Sequence, residues 1–75
     1  MKYQGAYNQL IQFHEKKDFH MMACKYMELC VRLNIPVMEE SMKLEYPDDE
    51  VSKEEKGTIG STILIHLYNT LAQMK

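Results

Sequence analysis

The chain has no tryptophan, only two phenylalanines, two prolines, two cysteines and three glycines in 75 residues. With so few large aromatics, other side chains must fill the interior, and seven methionines are present to do it. Two cysteines do not make the disulfide framework of a small secreted domain, so they read as reduced thiols of a cytoplasmic protein. Met1-Lys2-Tyr3 runs into polar residues with no apolar stretch behind the positive charge, so no secretory signal is expected. Positive charge is also short: the net charge is −2, which disfavours DNA binding dominated by phosphate contacts. No local Ser-His-Asp or Cys-His motif and no glycine-rich phosphate loop occurs, and the carboxylates cluster in turns. The sequence therefore reads as that of a protein that is not an enzyme and carries no cofactor.

One further absence organises the rest. From Gly57 to Met74 the chain carries no Asp, Glu, Lys or Arg, although 27% of all residues are charged. Gly57, Gly60, Ile63, Leu64, Leu67, Tyr68, Leu71 and Met74 share one helical face. The opposite face reads Thr58, Thr62, Ile65, Asn69 and Gln73, short uncharged side chains that predict a helix covered on both sides. Ser61, His66, Asn69, Gln73 and the threonines would be costly in hydrocarbon, so no membrane span is expected. A chain this short hides only about 60% of its unfolded surface. Cover for the second face is therefore expected from further copies, a homo-oligomer.

Taken in order, the spacing predicts a single all-α domain, a helical hairpin or a three- to four-helix domain with a long C-terminal helix. The helices fall at about 3–16, 19–33, 36–45 and 53–74. In the first, Tyr3, Ala6, Tyr7, Leu10, Ile11 and His14 make the apolar side, and Gly5 weakens the opening turn by about 1 kcal/mol, leaving Tyr3 and Tyr7 exposed and mobile. Asp18 is an N-cap for the second helix, which is apolar around most of its circumference and is stopped by Asn34-Ile35-Pro36. Pro36 is read as the start of the third, where its missing amide costs nothing. Ser52-Lys53-Glu54-Glu55 matches a capping box that opens the last helix, read as continuous through Gly57.

Three groups of residues bear on chemistry. His20 and Cys24 stand four apart on one helix, a metal-ligand spacing, with Cys30 and His14 as candidates to complete it. Cys30 lies about 240° further around the helix, so the expectation is two buried structural thiols and no metal. Five methionines between Met21 and Met42 suit either a core or an adaptable groove, core being the simpler reading. Gly57, Gly60 and Ser61 form a small-residue patch that lets another helix, or a flat ligand, approach closely, the helix crossing being favoured.

Ile59-Gly60-Ser61-Thr62-Ile63-Leu64, followed by Tyr68 and Leu71, resembles the terminal helix of the small phage proteins that sponge cyclic-oligonucleotide immune signals, the anti-CBASS and anti-Thoeris type. Tyr7-Asn8-Gln9-Leu10 is similar to that family's Tyr-x-x-Leu segment. The resemblance covers about 20 residues at ordinary helical spacing. It implies a non-catalytic oligomer in the host cytosol that binds cyclic di- or trinucleotides at subunit interfaces. Tyr7, beside Asn8, would stack on a base; Gly60, Ser61 and Thr62 would lie at a second pocket; Lys25 is the nearest candidate for a phosphate. The family's arginine is Ser61 here, and a hydroxyl does not replace a guanidinium fork on phosphate. The alternative expectation is a small inhibitor or adaptor that docks its apolar helix on a host protein.

Overall fold

Two of the helices start where a side chain accepts a free amide of the first turn, and two stop where the backbone turns left-handed. The structure is a computed structural model and describes residues 2–74. Helix α1 spans Gln4–Glu15, α2 Phe19–Leu33 and α3 Lys53–Gln73, with a 3-10 helix, Glu39–Glu45, between the last two. Asp18 accepts a bond from the Met21 amide at 3.3 Å, and Ser52 Oγ accepts one from the Glu55 amide at 3.2 Å. The last helix is continuous through Gly57.

The stops use one device twice. Lys17 sits at φ 60°, with its amide donating to the His14 carbonyl and that of Asp18 to Phe13. Asn34 sits at φ 56°, with its amide donating to Val31 and that of Ile35 to Cys30. Both are Schellman closures, which satisfy the last carbonyls of a helix by turning one residue left-handed. Asparagine tolerates that conformation better than lysine does.

The expected helix from Pro36 is corrected by the structure: residues 35–38 are not helical, Met38 being extended, and the element is a 3-10 helix that begins at Glu39. Two bonds hold the chain straight there. The Ile35 amide is committed to closing α2, and the Met38 amide donates to Tyr26 Oη at 3.1 Å. The chain turns only at the Met38 carbonyl, which accepts from the Ser41 amide at 3.1 Å and from Ser41 Oγ at 2.7 Å.

Among the described residues all regular structure is helical, and no helix is long and apolar enough to cross a membrane. Leu10 of α1, Met22, Tyr26 and Cys30 of α2, Leu44 of the 3-10 helix and Ile63, Leu67 and Leu71 of α3 meet in one core. Burial pushes the Tyr26 phenol up to about 12, so it stays protonated. Met22 is fully buried, whereas Met21, Met27 and Met42 are exposed, so the methionines divide between core and surface. The two thiols divide as well. Cys30 is buried as expected, but Cys24 is exposed, because it lies nearly half a turn around the helix from the face that Met22, Tyr26 and Cys30 turn inward.

Candidate binding face on the third helix

Helix α3 turns Gly60, Ile63, Leu67 and Leu71 into the core. A half-turn away, Thr58, Ser61, Thr62, Ile65, Tyr68 and Asn69 are all exposed. The cover expected on both sides is thus present on one side within the single chain. The outer face keeps its uncharged character in the open: Ile65 is 65% exposed and Tyr68 51%. Its threonine hydroxyls are turned back onto the helix, Thr58 donating to the Glu54 carbonyl and Thr62 to that of Thr58. Their lone pairs remain for an outside donor.

The edge of this face is the seam with α1. Tyr7 is half-buried there rather than exposed and mobile, since its hydroxyl donates to the Leu64 carbonyl at 3.1 Å. Burial, with Tyr68 beside it, raises its pKa, so it remains a neutral donor. The rings of Tyr7 and Tyr68 lie 5.8 Å apart, tilted by 58°. Tyr7 is held by that hydrogen bond, and Tyr68 is the more exposed of the two rings. Further along the seam His14 Nε2 is 2.9 Å from the Gly57 carbonyl, which can only accept, so that nitrogen carries the proton. Ser61 Oγ lies 3.3 Å from the same nitrogen.

The residues singled out in the sequence are divided between two places. Tyr7, Gly60 and Ser61 come together along the α1–α3 seam, with Thr62 and Asn8 exposed nearby on their own helices. Gly60 faces inward: a Cβ built on it would lie 2.6 Å from His14 Cδ2 and 3.1 Å from Met22 Sδ, so it serves a tight crossing with the chain's own α1 and α2. Asn8 accepts a bond from Gln4 Nε2 at 2.9 Å. Lys25 stands apart, in a groove of about 110 Å³ lined by Ala6, Gln9, Glu28, Leu29 and Arg32, its ammonium 3.7 Å from the Glu28 carboxylate. Tyr68 and His14 also lie at this seam. The helical period groups them with Leu64 and Leu10, but pairing across 61 and 47 positions leaves no local signal.

Fold and face together define a small all-α protein with an exposed, uncharged, partly aromatic helix surface. No protein-family model matches the chain, and no curated protein or solved structure matches it.

Proposed function

We propose that this protein works by binding rather than catalysis, as a phage-type sponge that holds a cyclic di- or trinucleotide between copies of itself in the host cytosol. The observation that carries the reading is the uncharged outer face of α3, bordered by the fixed Tyr7–Tyr68 pair. An exposed ring offers a base a surface to stack on, and base stacking needs no sequence-specific partner. Lys25 and Arg32 supply cations for phosphates on the other side of α1. Their groove, about 110 Å³, is below the ~300–1,000 Å³ of small-molecule sites, so a dinucleotide needs walls from more than one copy. A symmetric ligand suits an isologous interface of that kind.

Docking on a host protein is the second reading, favoured by the 65% exposure of Ile65 at the centre of the same face. Thermal shift against cyclic di- and trinucleotides separates the two. Ligand at a hundredfold excess over its Kd adds about 2.7 kcal/mol, a rise on the order of 10 °C for a domain of this size. Tyr68→Ala should abolish the rise, and Tyr7→Ala should at least reduce it. No shift with any cyclic nucleotide, together with a stable complex with a macromolecule, sinks the sponge and leaves the docking module.

A further inference from the structure

Helix α2 carries a second cluster, apart from the seam. His20 and Cys24 are one turn apart, so their side chains reach the same spot, with Nε2 and Sγ separated by 3.9 Å. The last residue of the 3-10 helix completes it: Glu45 Oε1 lies 2.9 Å from His20 Nδ1. All three side chains are exposed, and their ligand atoms lie within 4.8 Å of one another. Cys30 remains excluded, being buried on another face. The third group comes instead from 21 residues down the chain, across a fold contact that spacing on α2 does not reveal.

The arrangement has a definite chemical sense. A carboxylate on Nδ1 draws the imidazole proton to that nitrogen and leaves the Nε2 lone pair facing the Cys24 sulfur. Metal-bound histidines are held in that way, the carboxylate fixing the tautomer and raising the basicity of the other nitrogen. Zinc bonds of about 2.0 Å to nitrogen and about 2.3 Å to sulfur set the two ligand atoms about 3.5 Å apart in a tetrahedral site. Two exposed side chains close the remaining few tenths of an ångström by small rotations. A thiolate with an imidazole selects zinc-class ions over magnesium and calcium, which take oxygen ligands.

We propose that His20 Nε2 and Cys24 Sγ bind a zinc-class divalent cation, with Glu45 holding the imidazole in register. Binding displaces the Cys24 thiol proton to solvent, forms the metal–sulfur and metal–nitrogen bonds and changes no oxidation state. The other two positions are taken by water or by a second copy of the chain. Both ligands stand on α2, and the Glu45–His20 pair joins the 3-10 helix to the residue that holds the ion.

Cobalt(II) tests this on the full chain, kept reduced without thiols. One Co²⁺ per chain, or one per two chains, should give a thiolate charge-transfer band that Cys24→Ser and His20→Ala abolish and Cys30→Ser leaves in place. Glu45→Gln should weaken Zn²⁺ binding about 10- to 100-fold. Zn²⁺ should raise the Tm of the wild type and leave that of Cys24→Ser unchanged. The exposed positions of His20 and Cys24 let both variants fold, which circular dichroism checks. Absence of the band at stoichiometric Co²⁺, or its survival in Cys24→Ser, overturns the site. Unchanged affinity in Glu45→Gln overturns the role given to Glu45.

Discussion

A methyl group added at Gly60 has nowhere to go. It would meet His14 Cδ2 at 2.6 Å and Met22 Sδ at 3.1 Å, and neither gives way freely: the imidazole is held by the Gly57 carbonyl, and Met22 is fully buried. Overpacking of this kind costs about 1–3 kcal/mol, against which alanine regains at most about 1 kcal/mol of helix propensity. Gly60→Ala should therefore lower stability by about 1–2 kcal/mol. Gly57, three residues earlier on the same helix, has nothing within 4 Å of an added Cβ, so Gly57→Ala should instead raise stability by about 0.5–1 kcal/mol. Urea midpoints of the two variants give opposite signs on this account. Equal effects would mean that Gly60 is not the closest point of the α1–α3 crossing.

At the scale of the element, the start of α3 is tied down by a residue that a solvated first turn would leave free. Lys56 is 6% exposed, and its ammonium donates to the Tyr46 carbonyl and, at 2.9 Å, to Asp48 Oδ1, clamping the acidic turn onto the helix. That hydrogen bond holds the Asp48 carboxyl below its ordinary value of 3.8. The sign follows: with the folded value depressed, the stabilisation is complete above the unfolded value near 3.8 and is lost as pH falls through the folded one. The loss of stability between pH 5 and about pH 2 should be smaller in Asp48→Asn than in the wild type, measured by urea titration at each pH. An identical loss in both would remove the clamp from the account. The caps at Asp18 and Ser52, the stop at Asn34 and the period of α3 were legible because each is a local pattern of a few residues. Lys56 was not, since its side chain is spent on a turn eight to ten positions away. The same reason hid the 3-10 helix, whose start is fixed by the distant Tyr26 hydroxyl, and Glu45, whose partner is His20. Of the marked residues, Tyr7 and Ser61 fall on a common seam because both helices keep their register, while Lys25 lies in a separate groove because α2 turns it to the far side of α1.

At the scale of the whole molecule, the chain exposes 5026 Å², close to the ~4,800 Å² of a folded monomer of this size, and its radius of gyration of 11.8 Å is near the ~11 Å expected. Total burial therefore does not by itself demand a second copy. The case for assembly rests on what is left outside: a face of α3 several turns long with no ionic group, centred on Ile65. Surfaces of that kind are depleted of the charges that keep monomers apart, as the core of a protein interface is. If two copies meet there, Ile65 leaves water on both sides of a symmetric contact, and a carboxylate at that position would be buried twice, facing its own image. Ile65→Glu touches no core residue, so it should leave the helical circular dichroism and the Tm of the monomer almost unchanged while abolishing association. Sedimentation of both proteins over a hundredfold range of concentration decides the matter: the wild type should gain mass as it is concentrated, and the variant should not. A wild type that stays monomeric throughout would remove the interface, and with it any nucleotide pocket that needs walls from two copies.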